Sequence, residues 1–202
     1  MKKIMFNDRY GLTQAVIKGR KTMTRRLELD AGSEYIARHY NPIYKPQHCY
    51  YRDSRGMCQL INSNTRKLFI PHYKVGEIVA VAQSYNSFYD DTYNPVLFPA
   101  GAGWNNKMFV KPELMPHQIR ITGIKCEQLQ DISDEDCFKE GINASNSHEI
   151  GYGIPWVYEF AGSKIVYPTR REAFAALIDK VSGRGTWASN PWVVAYEFEL
   201  VK

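Results

Sequence analysis

Gly19-Arg20-Lys21-Thr22-Met23-Thr24-Arg25-Arg26 is the stretch on which the reading of this chain turns. Upstream, Leu12, Ala15 and Val16 recur at helical spacing, and Gly19 is a good residue to close that helix. Two hydroxyls and four cations follow at once. Crowding Lys21 against Arg20, Arg25 and Arg26 disfavours its charged form, and partial burial acts in the same direction. A neutral lysine is a base, and a threonine hydroxyl needs a base before it attacks a carbonyl, so Lys21 and Thr24 form a candidate base–nucleophile pair. There is a geometric condition. In a regular strand positions 21 and 24 point to opposite faces, so they meet only if the chain turns or bulges between them. The alternative for this segment is an anion-contacting or solvated stretch whose threonines bond only backbone.

Working outward, residues 3–6 read as a short strand and residues 10–18 as the helix. Residues 30–74 read as an irregular insert or lid, with Tyr35, Tyr40, Tyr44, Tyr50 and Tyr51 among prolines and polar residues. Lys74-Val75-Gly76-Glu77 is a turn signal before a buried strand over 78–83, and the glycines and prolines of 86–116 predict loops. Residues 118–129 alternate Ile119 and Ile121, then Ile124 and Cys126, one residue out of step near Gly123, which predicts a long strand with a bulge. Ser133 opens a short helix with Asp134, Glu135 and Asp136 in its positive first turn and Gly141 as its stop. Thr169 and Glu172 make a capping box for a helix whose apolar stripe is Phe174, Leu177, Ile178 and Val181. Gly183 ends it, and 193–201 alternate as the last strand. Strands separated by long connections with short outer helices suit a mixed α+β barrel better than a doubly wound sheet, and no glycine-rich phosphate loop is present.

A chain of 202 residues is sized for one domain, 1–202, and buries enough surface to need no disulfide staples. Purely apolar runs such as 78–82 are too short to span a bilayer, and Asn7, Asp8 and Arg9 interrupt any secretory signal after Lys2 and Lys3. A cytoplasmic location without a membrane partner is expected. Cys49, Cys58, Cys126 and Cys137 form no C-x-x-C pair and are read as reduced and structural. A zinc site using His48, Cys49, Cys58 and His39 or His72 would have a spacing that matches no common structural site, so neither metal nor cofactor is expected. The net charge of +5 is unevenly placed. Residues 1–26 hold eight Lys/Arg against Asp8 alone, and residues 127–140 hold six Asp/Glu against Lys139 alone. The first segment suits a phosphate or other anion; the bland reading pairs it with the second.

The pattern Gly19-Arg20-Lys21-Thr22-x-Thr24-x-Arg26 after a short helix resembles the hallmark of ASCH-domain proteins, a family with a PUA-like β-barrel. Lys74-Val75-Gly76-Glu77 with its strand resembles the family's turn-and-strand unit. The 119–129 strand followed by Asp131 to Asp136 and Glu140-Gly141 resembles its strand and acidic helix. Phe174 to Val181, Asn190-Pro191-Trp192-Val193 and Tyr196-Glu197-Phe198 resemble the closing helix and strand of its longer bacterial and prophage members. The resemblance implies a single PUA-like (ASCH) mixed β-barrel with short flanking helices and inserts near 27–73, 84–116 and 143–168. It also implies RNA or a modified nucleoside as partner. In the branch that hydrolyses N4-acetylcytidine, the matching positions are Lys21 as proton acceptor, Thr24 as nucleophile and Glu140 as proton donor. Glu140 fits physically, because the negative end of a helix favours a protonated carboxyl. This chain is about twice as long as the minimal enzyme of that branch. It also carries Gln83 where many longer members have a glutamate, so its substrate need not be the same.

Three functions follow from these residues. The first is an amidohydrolase of an N4-acylated cytidine, with Arg20, Arg25 or Arg26 holding an oxyanion or phosphate. The second is a non-catalytic RNA or nucleotide reader using the same basic cleft. The third is a ribonuclease, for which the sequence offers no histidine pair. Thr22 belongs to the same expected binding surface. Gly183-Arg184-Gly185-Thr186-Trp187 presents a cation and an aromatic plane, a combination that stacks bases, and Gly101-Ala102-Gly103-Trp104 is a second such loop. Packing is an equal alternative for either tryptophan. His117 and His148 have no catalytic or ligand spacing.

Overall fold

The computed structural model describes residues 1–30, 33, 35–39, 49–50, 58–89, 101–146 and 156–201. Tyr40, Tyr44, His48, Tyr51 and His148 lie outside the described residues. The strands are β1 (Lys2–Ile4), β2 (Met23–Arg26), β3 (Tyr35–His39), β4 (Cys49–Tyr50), β5 (Cys58–Asn62), β6 (Ile78–Val81), β7 (Gln118–Gln128), β8 (Asn143–Asn146), β9 (Trp156–Glu159) and β10 (Trp192–Leu200). Four α-helices accompany them: α1 (Leu12–Ile17), α2 (Asp134–Lys139), α3 (Arg170–Ser182) and α4 (Thr186–Ser189).

The main sheet is mixed, in the order β1-β6-β7-β10-β2, with β4 added beside β7. β1 and β6 run parallel; every other pair in this sheet is antiparallel. The out-of-step isoleucines of β7 have their cause in the register. Glu197 faces Gly123, but Phe198 faces Ile121, so Thr122 is the extra residue of a bulge. The bulge returns Ile119, Ile121, Ile124 and Cys126 to one buried set. β10 departs from the expected clean alternation. Val193, Val194, Ala195 and Tyr196 are all buried, because this half of the strand lies between β7 and β2 with both faces covered.

The α+β class holds, and the barrel expectation does not hold for the described residues. They form an open sheet with no closed barrel: β1 and β2 stand at opposite ends of the strand order and share no ladder. One long connection bridges the two edges, in which an Arg26 Nη2–H donates to the Met5 carbonyl at 2.5 Å just beyond β1. The tyrosine-rich insert is more regular than its composition suggests, since β3 and β5 pair from Tyr35↔Asn62 to His39↔Cys58. In the stretch before β7, the described residues 86–89 and 101–116 form loops and 3-10 turns as expected. There Trp104 packs on Tyr89, ring centroids 5.0 Å apart, around a satellite cluster of Ala80, Ala82, Tyr85, Val110 and Met115.

Helix ends follow the capping chemistry. Ser133 Oγ accepts from Asp136 N–H at 3.1 Å, and Thr169 Oγ1 accepts from Glu172 N–H at 3.1 Å. α3 then lays Phe174, Leu177 and Ile178 onto a core shared with Ile119, Ile121, Val194 and Tyr196. Phe174 is fully covered and meets Trp187 edge-on at 6.0 Å. Phe174→Ala is therefore expected to lower unfolding free energy by about 3–5 kcal/mol, measured as a fall in the urea midpoint at unchanged slope.

Candidate functional site

The turn demanded by the Lys21–Thr24 condition is built at the end of α1. Gly19 takes φ +67°. The N–H groups of Gly19, Arg20 and Lys21 then bond back to Val16 O, Ala15 O and Ala15 O at 2.9, 2.8 and 3.0 Å. The chain straightens only at Met23, so Lys21 lies outside β2 and is free of its alternation. Thr22 N–H next bonds Lys139 O at 2.9 Å, which seats the turn against the end of α2. Gly141, at φ +99°, closes α2 where an added Cβ would contact Leu12, Ala15 and the Lys21 stem.

These contacts bring Glu140 to Lys21. The ammonium donates to Glu140 Oε2 at 2.5 Å and to the Glu140 carbonyl at 2.8 Å, with both side chains almost wholly buried. Burial holds the Lys21 ammonium below its ordinary pKa; the Glu140 carboxylate opposes this, and Arg26 and Arg25 assist it. Burial and crowding by neighbouring arginines both act in the direction expected from the sequence, and burial is the larger of the two. Glu140 itself is not merely a helix-end carboxyl. Its second oxygen accepts from Arg25 Nη1 at 3.1 Å.

Arg25 is the centre of a buried ionic cluster. Its Nε and Nη2 both donate to Glu127 Oε1, at 2.8 and 2.5 Å, and Nη2 also reaches Asp136 Oδ2 at 2.9 Å. Lys125 joins through Asp136 at 2.6 Å and Glu127 at 3.2 Å. The register explains the assembly. Arg25, Ala195 and Lys125 are neighbours across β2, β10 and β7, and the small Ala195 leaves space for the two cations to lean over it. Three cations (Lys21, Arg25, Lys125) face three carboxylates (Glu127, Asp136, Glu140). Burial alone would lower the Arg25 pKa, but Glu140, Glu127 and Asp136 raise it above the ordinary value. This corrects its expected ligand-binding role: the guanidinium is already committed.

Thr24 is buried on the opposite face of β2, next to Tyr196 in register. Lys21, Thr24, Arg26, Glu28, Glu140 and Phe174 all line one cleft of about 730 Å³, which wraps round the free edge of β2 toward the segment after β1. The three residues singled out as a catalytic set thus converge on one hollow. Lys21 and Thr24 are not hydrogen-bonded to each other, and Thr24 Oγ1 bonds no described residue. Arg26 has a buried Nε–H without a partner. The remaining expectations fail on position. Arg20 is exposed and bonds Asn143 Oδ1 at 3.1 Å, outside the cleft, and Thr22 is used through its backbone. Arg184 is exposed, Trp187 packs between Phe174 and Arg171, and neither lines the cleft.

The sequence alone did not point to Glu127 and Asp136 as partners of Arg25, to Lys125 as a further cation on those two carboxylates, or to Glu28 as a cleft residue held by Tyr196. Glu127 was detectable in principle as a charge inside a strand pattern, but its partner was not. Among the described residues no helix is long and apolar enough to cross a membrane, and no group of three or more His, Cys, Asp and Glu is placed to hold a metal.

Arg25→Ala leaves three carboxylates without their shared cation and is expected to cost about 3–5 kcal/mol by chemical denaturation. A second expectation concerns acid. Burial pushes the Asp136 carboxyl up, but Lys125 and Arg25 outweigh it and hold its pKa below the ordinary 3.8. Its contribution is therefore complete above pH 3.8 and is lost as pH falls through the lower folded-state value. Stability of the wild type should fall more steeply below about pH 4 than that of Asp136→Asn, read as urea midpoints across pH 2.5 to 7.

Comparison with family models, with curated proteins and with solved structures finds no match to this chain.

Proposed function

We propose that this protein is an ASCH-type, PUA-like amidohydrolase that removes the acyl group of an N4-acylated cytidine or similar modified nucleoside. The observation that carries the proposal is the convergence of Lys21 and Thr24, from one segment, with Glu140, from a distant one, on one cleft of about 730 Å³. That volume suits a nucleoside-sized ligand. The hallmark likeness supplies the reaction class, and the buried Lys21–Glu140 contact supports it physically.

A proton moved from Lys21 to Glu140 along their 2.5 Å contact leaves a neutral amine beside a neutral acid. Burial of Lys21 favours that state. The amine takes the Thr24 hydroxyl proton as Oγ1 bonds to the acyl carbon. Glu140 then protonates N4 as the amide C–N bond breaks and cytidine leaves. Lys21 passes its proton back to the Glu140 carboxylate along the same contact, takes a proton from water as that oxygen attacks the threonine ester, and returns it to Oγ1 as the ester C–O bond breaks and the carboxylic acid leaves. Of the three arginines considered for the oxyanion, Arg26 is the one that lines the cleft without being committed to the carboxylate cluster, and its buried Nε–H has no partner.

Turnover of N4-acetylcytidine is the expected result, and Thr24→Ala should reduce kcat by about 10³-fold or more at an unchanged urea midpoint. Inactivity of the wild type across a panel of N4-acylated cytidines would reject the proposal. One observation favours the second reading, a non-catalytic reader: Lys21 is bonded to Glu140 and not to Thr24. On that reading RNA binding falls steeply with salt and survives Thr24→Ala.

A further inference from the structure

The cleft also holds an acidic group that the proposed reaction does not use, Glu28. Thr24, Arg26 and Glu28 follow one another at a period of two along the free edge of β2 and its extension, and all three line the cleft. Glu28 is fixed from behind. Tyr196 Oη donates to Glu28 Oε2 at 2.6 Å, and the His72 N–H donates to the same oxygen at 3.2 Å. Tyr196 Oη in turn accepts from His72 N–H at 3.0 Å and Tyr73 N–H at 3.5 Å. The phenol is fully covered by the core, so it anchors the carboxylate with no rotational freedom of its own. The second oxygen of Glu28 has no partner among the described residues and is left to accept from whatever occupies the cleft.

We propose that Glu28 is a specificity-determining residue that accepts the 2′- and 3′-hydroxyls of a ribonucleoside whose acyl group lies at Thr24; this rests on the amidohydrolase reading above. Thr24 and Glu28 are four residue steps apart, which span at most about 14 Å when extended. That matches the long axis of a nucleoside acylated on its exocyclic nitrogen. With the acylated edge of the base at Thr24, the far end of such a ligand is the ribose. A fixed carboxylate oxygen there suits vicinal hydroxyl donors and repels a phosphate attached to them, so the ligand is a ribonucleoside with free hydroxyls.

The test compares N4-acetylcytidine with N4-acetyl-2′-deoxycytidine on the wild type and on Glu28→Gln. Gln keeps an oxygen for Tyr196 and His72, so the wall stays in place, and the urea midpoint checks this. The wild type should favour the ribonucleoside by about tenfold in kcat/KM, mostly through KM, as expected for one hydrogen bond to a charged acceptor. Glu28→Gln should shrink that preference to below about threefold with little change in kcat. Equal wild-type kcat/KM for the two substrates, or an undiminished preference in Glu28→Gln, overturns the inference. If neither substrate is turned over, the amidohydrolase reading fails separately. Calorimetry of cytidine and 2′-deoxycytidine on the same two proteins then decides the ribose contact: a preference for cytidine that is lost in Glu28→Gln supports it, and equal or absent binding overturns it.

Discussion

A guanidinium with almost no exposed surface must have its charge balanced on the spot, and in this protein the residues that balance Arg25 come from one acidic segment more than a hundred positions along the chain. Glu127 lies on the long strand β7, and Asp136 and Glu140 lie on and just beyond α2. The cluster therefore fixes where α2 stands against the edge of the sheet. Its net contribution to stability is small, because the desolvation of six charged groups offsets most of their attraction. Its effect is on position. With Arg25 and Lys21 each holding one oxygen of Glu140, that carboxylate has little room to turn away from the cleft.

The cleft exists because the described sheet is open. Strands β1 and β2 end the order on opposite sides, and the free edge of β2 presents Thr24, Arg26 and Glu28 to a hollow of nucleoside size. One hydroxyl, Tyr196 Oη, ties that wall together by bonding Glu28 and the backbone of His72 and Tyr73. Burial and the hydrogen bond to Glu28 push the Tyr196 phenol well above its ordinary pKa, so it stays a donor throughout the neutral range. A carboxylate held by a buried phenol on the Glu28 side and a buried ion pair on the Lys21 side give the cleft two ends of different chemistry.

Local physics made much of the fold readable before any coordinates. The Ser133 and Thr169 caps, the Gly19 and Gly141 stops and the slip in the β7 pattern at Gly123 are each set by residues a few positions apart, and each falls where the pattern put it. Lys21, Thr24 and Glu140 were likewise singled out on residue type, spacing and family likeness. What residue type could not give was allegiance. Four cations in one segment look equivalent, yet Arg25 is consumed by carboxylates, Arg20 faces solvent, Lys21 bonds Glu140, and Arg26 keeps one buried N–H unpartnered. Trp187 had the composition of a stacking platform and packs on Phe174 instead.

The amino-acid order by itself determined the helices, their ends, the bulge and the α+β class, because these depend on backbone preferences and on periodicities of two and 3.6 residues. It also marked out a basic segment and an acidic one. Only the tertiary structure decided which charges neutralise one another, that the described strands leave an open edge, and that Glu28 faces the cleft with Tyr196 behind it. Those outcomes depend on which strands become neighbours and on a register that sets Arg25 beside Ala195 and Lys125. Such pairings join residues 70 to 170 positions apart, and no local pattern encodes the geometry that makes one carboxylate a structural counter-ion and another part of the cleft wall.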